Sequence, residues 1–100
     1  MTSTIKQHGI VWRDTADNLS LASCGFTAEY NGFCIIGCSG ASSGAYYLYV
    51  KDDTQNRAVG RISANSASQT VMFPTIKGHT YSCTGSNTQY IFRNIFELVG

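Results

Sequence analysis

The stretch Thr27-Ala28-Glu29-Tyr30-Asn31-Gly32-Phe33-Cys34-Ile35-Ile36 decides the fold. A polar segment containing glycine runs straight into an apolar strand. Phe73-Pro74-Thr75-Ile76-Lys77-Gly78-His79-Thr80-Tyr81 answers it further along with a second such joint. Asn31-Gly32 and Lys77-Gly78 read as tight turns, because Asn and Gly reach positive φ at little cost. Two joints of this kind, in a chain with no sustained 3.6-residue period and no internal repeat, indicate an all-β domain without helices.

Working outward, Ile5 to Trp12 reads as a first strand with Gly9 as a bulge. Asp14 to Asn18 reads as a loop, and Leu19 to Ser23 as a short second strand. Phe33 to Cys38 is a buried strand, with Phe33 and Ile35 on one face and Cys34 and Ile36 on the other. Ser39 to Gly44 is a loop of small residues. Tyr46 to Val50 is a strand apolar on both faces, and Lys51 to Arg57 is the most charged loop. Strands follow at Ala58 to Ser63, at Gln69 to Phe73 (stopped by Pro74) and at His79 to Thr84. Gly85-Ser86-Asn87 is a turn, and Gln89 to Val99 closes the chain. Roughly eight short strands with turns every eight to twelve residues make an antiparallel β-sandwich or jelly roll. A chain of 100 residues holds one such domain, spanning 1–100.

The last strand is apolar on both sides. Tyr90, Phe92, Phe96 and Leu98 share one face; Ile91, Ile95 and Val99 share the other. One face fills the core. The other is too apolar to stay wet in a lone domain, so it is a candidate oligomer interface.

Charge excludes some functions. Only 13% of residues are charged, so the surface is polar rather than ionic. The net charge is +1, and Lys6, Arg13, Lys51, Arg57, Arg61, Lys77 and Arg93 are scattered. Nucleic-acid binding needs a concentrated basic face, which the sequence lacks. No run approaches the ~18 apolar residues of a membrane helix. The start, Met1 to Lys6, has no apolar secretion core, so synthesis in the cytoplasm is expected. That compartment predicts reduced, buried thiols at Cys24, Cys34, Cys38 and Cys83. Cys34 and Cys38 fall about 13 Å apart along one strand face, too far to share a metal.

Catalytic signals are weak, and no cofactor motif is present. Adjacent Asp52 and Asp53 point to opposite sides of an extended backbone, which suits a solvated turn better than a glycosidase pair. The segment Asp52 to Asn56 lacks the alternating carboxylates of a calcium loop. His79 reads as a surface residue, and its pairing with Cys83 as a dyad has no supporting motif. Loops are the better places for contact with a ligand. The candidates are Ser42 and Ser43, then Asp52, Asp53, Asn56 and Arg57, with Tyr47 beside them.

The order of these elements resembles the small β-sandwich head domains of bacteriophage tail and head fibres. The aromatic-Asp opening is Trp12-Arg13-Asp14. The T-A-x-x-x-G-aromatic strand entry is Thr27 to Phe33, and the Gly/Ser-rich hairpin is Ser39 to Gly44. The apolar-P-x-x-K-G-x-x-aromatic joint is Phe73 to Tyr81, and the aromatic final strand is Tyr90-Ile91-Phe92. Glu29 stands where that family usually has proline after the T-A pair. The resemblance implies a homotrimer with a jelly-roll or tumour-necrosis-factor-like protomer. Its place would be the virion, as a fibre head or free-standing subunit without a shaft. Its role would be non-enzymatic attachment to a host surface glycan or protein. Two other roles remain open: a virion decoration subunit, or a small intracellular phage protein that binds a small molecule or host protein between subunits.

Overall fold

A computed structural model describes residues 9–100. The expected strand residues Ile5 to His8 lie outside that range. Turn-punctuated alternation builds eight strands: β1 (Gly9–Leu19), β2 (Phe26–Thr27), β3 (Gly32–Gly40), β4 (Ala45–Asp52), β5 (Arg57–Asn65), β6 (Gln69–Thr75), β7 (Thr80–Ser86) and β8 (Thr88–Val99). A single helical turn, α1 (Leu21–Cys24), sits between β1 and β2.

The strands form two four-stranded sheets, ordered β1-β8-β3-β6 and β2-β7-β4-β5. Every pairing is antiparallel. The chain alternates between sheets from β1 to β4, makes one hairpin from β4 to β5, and alternates back to β8. This is the winding of an eight-stranded jelly roll. The expected all-β sandwich of about eight strands is therefore the observed architecture.

The core lies between the sheets. Alternation sends Cys34 and Ile36 of β3, Phe73 of β6 and Ile91 of β8 inward from the first sheet. Tyr46, Leu48 and Val50 of β4, Ile62 of β5 and Tyr81 of β7 meet them from the second. Two buried tyrosines keep their hydroxyls satisfied, as burial requires. Tyr46 donates to the carbonyls of Cys38 and Ala67, and Tyr81 accepts the N–H of Ile76 at 2.9 Å.

Several local expectations are corrected. Leu21 to Ser23 is helical, because Ser20 and Ser23 form a reciprocal capping box. Asp14 to Asn18 belongs to β1, which passes through bulges between Trp12 and Asp14 and between Ala16 and Leu19. Gly9 is no bulge; it pairs in register with Val99. Pro74 does not stop β6, because β6 is a sheet edge, where a missing N–H is tolerated. Asn31-Gly32 is not a positive-φ turn. It is part of the crossover between sheets, and Gly32 is required because any Cβ would collide with the carbonyl of Phe96. Gly78 does take the positive φ expected of it, at 88°.

The cysteines also differ from expectation. Cys24 and Cys83 form a disulfide that ties α1 to β7, with Cα atoms 6.0 Å apart. Only Cys34 and Cys38 are free thiols, and both are buried.

Candidate functional site

The two faces of β8 are occupied differently. Ile91 is 2% exposed in the core, and Ile95 packs against that core. On the other side, Leu98 is 57% exposed and Tyr90 68%. Between them Phe96 stacks on Phe33, with ring centroids 4.8 Å apart. Phe92 lies over Gly37, whose missing side chain leaves room for the ring.

These residues belong to a larger patch. Strand register sets Trp12, Phe96, Phe33 and Pro74 side by side across all four strands of the first sheet. A neighbouring row carries Asn94, Ile35 and Met72. Ile10 pairs with Leu98 at one end, beside a shallow apolar hollow of about 380 Å³. Trp12 and Met72 are 63% and 64% exposed. Such a continuous apolar sheet face is unusual on a monomeric soluble protein. Sequence reasoning had the β8 half of it; β1, β3 and β6 complete it.

The outer face of the second sheet has a different character. Tyr47 and Tyr49 stack on each other at 4.9 Å, and the guanidinium of Arg61 lies 5.1 Å from the Tyr49 ring. Thr84 and Ser86 of β7 and Ser63 of β5 flank the pair in register. The face is aromatic at its centre and hydroxylated around it.

The candidate contact residues do not form one site. Ser42 and Ser43 lie in the β3–β4 connection, at one end of β4. Asp52, Asp53, Asn56 and Arg57 lie at its other end, around the β4–β5 turn. Asn87 holds Ser42, accepting both its backbone N–H and its hydroxyl. Tyr47 sits between the two ends on the outer face. Asn56, Arg57 and Ser43 are exposed.

Asp52 is not in a solvated turn: it is 1% exposed. Its Oδ2 accepts Nδ1–H of His79 at 2.8 Å, and its Oδ1 accepts the N–H of Gln55 at 3.0 Å. Burial works to raise the Asp52 carboxyl. The His79 and backbone hydrogen bonds and the charge of His79 outweigh it and hold the carboxyl below its ordinary value. His79 is thus a tether rather than a free surface residue. Neighbouring hydroxyls are committed elsewhere: Thr54 to the N–H of Thr80, and Ser82 to Asp53. The pair fixes the β4–β5 turn onto β7. Cys83 is spent in the disulfide and forms no dyad with His79.

A concave site opens at the side where β1 and β2 are the sheet edges. It is a cleft of about 370 Å³, lined by Arg13 and Asp14 at the β1 bulge, Thr27, Glu29 and Tyr30 from β2 and the crossover, and Arg93 from β8. Arg13 pairs with Glu97, its Nε 2.8 Å from Oε1, and lies over the Tyr30 ring. Arg93 lies over Phe26 at 5.0 Å and donates Nη1–H to the carbonyls of Ser23, Cys24 and Gly25, closing the end of α1. None of the cleft residues belongs to the candidate contact loops. They come from three separated segments, and the jelly-roll winding brings them together.

Comparison with protein-family models and with curated proteins finds no match to the chain.

Proposed function

We propose that this chain is a non-enzymatic virion subunit that assembles as a homotrimer and attaches to a host surface glycan or protein. The observation that carries the reading is the bare apolar face of the first sheet. The interior is already filled by Tyr46, Tyr81, Phe73 and their neighbours. The Trp12-Phe96-Phe33-Pro74 row therefore has no interior left to join, and a sister subunit is the cover it fits. A cyclic assembly lets one patch serve every subunit. Placing that patch on the axis turns the hydroxyl-rich second sheet and the loops outward, where attachment needs them. The motif order shared with phage fibre heads supports the same role.

The purified protein is tested against envelope polysaccharide and envelope protein extracted from bacterial hosts, alongside empty capsid shells. Saturable binding to envelope material supports attachment. Binding to capsid shells alone replaces attachment with a decoration role. Absence from purified virions overturns the virion assignment and leaves a small intracellular binding protein.

A further inference from the structure

The cleft beside β1 and β2 contains guanidinium donors that the fold leaves unspent. Arg13 gives Nε–H and Nη2–H to Glu97, and its Nη1 has no hydrogen bond among the described residues. Arg93 uses Nη1 to cap α1. Its Nε is buried without a partner, and its Nη2 makes no hydrogen bond among the described residues. No carboxylate lies within ion-pair distance of Arg93 among those residues. The Cys34 thiol supplies no counter-charge either. Burial pushes it up to about 12, with the Arg93 charge acting against the rise, so it stays protonated. A half-buried cation with donors to spare and no counter-ion is costly unless something else supplies the acceptor. Capping α1 accounts for one nitrogen only.

The same cleft holds two carboxylates. Asp14 and Glu29 line it, and neither forms an ion pair among the described residues. One guanidinium without a counter-ion, Arg93, beside the spare Nη1 of the Glu97-paired Arg13, suits an anionic group. The two exposed carboxylates can accept from hydroxyl or amine donors, and they disfavour a dianion such as phosphate. Phe26 and Tyr30 supply apolar wall. A volume of about 370 Å³ falls in the range of small-molecule sites.

We infer that this cleft binds a compact carboxylate bearing several hydroxyls, of the hexuronic acid class. Arg93 and Arg13 meet the carboxylate, and Asp14 and Glu29 accept from the hydroxyls. The inference rests on the attachment reading only for the ligand's source: an acidic sugar within a glycan under that reading, a free sugar acid otherwise.

The test is an amide-shift titration of the whole chain with sodium glucuronate, glucose, inorganic phosphate and a glucuronate-terminated oligosaccharide, with the solution mass recorded on the same samples. Glucuronate is expected to move the signals of Thr27, Glu29, Tyr30 and Arg93 saturably, and glucose to leave them unmoved. Arg93→Lys loses the planar guanidinium and is expected to weaken binding at least tenfold. Because Arg93 also caps α1, Thr27→Trp is the second variant: it fills the cleft from an exposed position and is expected to abolish binding with the thermal midpoint retained. Tighter binding of the oligosaccharide supports the site with a glycan as source; equal binding supports it with a free acid. Silence toward glucuronate, equal shifts with glucose, binding of phosphate alone, or native affinity in Thr27→Trp would each overturn it. A trimer with a silent cleft overturns this inference alone. A monomer whose cleft binds glucuronate overturns the assembly and leaves the site standing.

Discussion

The two outer faces of the sandwich are built from the same alternation and end up chemically opposite. Outside the first sheet, Trp12, Phe33, Ile35, Met72, Phe96 and Leu98 stand together. Outside the second, Tyr47 and Tyr49 stand among Ser63, Thr84, Ser86 and Arg61. Both sheets send buried side chains inward, Ile36, Phe73 and Ile91 from the first and Leu48, Ile62 and Tyr81 from the second, so the need for a core does not explain the difference. A sheet with one wet face needs polar residues there. The second sheet obeys that rule, and the first breaks it across all four strands. The difference teaches that the first sheet's outer face is apolar where the second's is polar, and the proposed assembly rests on that contrast.

The contrast breaks most sharply along β8, where both faces are apolar but only one is core. Ile91→Asp places an unpaired charge in the interior. It is expected to unfold the protomer, at a cost of about 4 kcal/mol or more, seen as loss of the cooperative thermal transition. A stable Ile91→Asp protein would mean that the core has been assigned to the wrong side.

The next effect separates protomer stability from assembly. The Cys24–Cys83 bond closes a loop with a sequence separation of 59 residues, and chain entropy gives it about 4 kcal/mol. Cys24→Ser with Cys83→Ser should lower the denaturant midpoint accordingly. Neither cysteine lies on the apolar face, so the native fraction should keep its mass. A mass that changed with reduction would tie assembly to the disulfide instead.

Phe96→Asp acts on the outer face. It removes the Phe33 stacking, worth about 1 kcal/mol to the protomer, and sets a charge in the contact. The expected outcome is a folded protein with the mass of one chain, read by light scattering. An intact oligomer would exclude this row from the interface.

Acid gives a smaller effect, confined to the second sheet's end. The folded Asp52 carboxyl lies below its ordinary 3.8, so its contribution is fully present above that value and lost as pH falls through the folded value. Denaturation midpoints should drop below about pH 4 in the native chain, and by less in Asp52→Asn. Equal acid sensitivity in both would assign the loss to other carboxylates.

The smallest change is expected from Tyr47→Ala. It removes one exposed ring of a stacked pair, costing about 1 kcal/mol or less, and should leave the mass unaltered.

Much of this is legible in the sequence, for a physical reason. Period-two alternation is local, so Phe33 to Cys38, Tyr46 to Val50 and Gln89 to Val99 announced themselves, together with the two faces of β8. What escaped depends on distant partners or subtle local chemistry. The disulfide joins residues 59 positions apart, and no local pattern announces that pairing. The α1 turn rests on a Ser-Ser capping box in place of the usual Ser-Glu. β1 continues through polar Asp14 to Asn18 because bulges absorb its irregular pattern. Asp52 looks exposed in a charged run until His79, 27 positions away, is brought against it. Arg93 reads as one scattered cation until α1 and Phe26 close around it.

The central claim is that the first sheet's outer face is covered by sister chains. The most direct test is the solution mass of the native protein, by size-exclusion chromatography with light scattering under non-reducing conditions. The account predicts a mass of three times the 10.9 kDa chain. A dimer would contradict the three-fold arrangement, and a monomer stable at high concentration would contradict the interface itself.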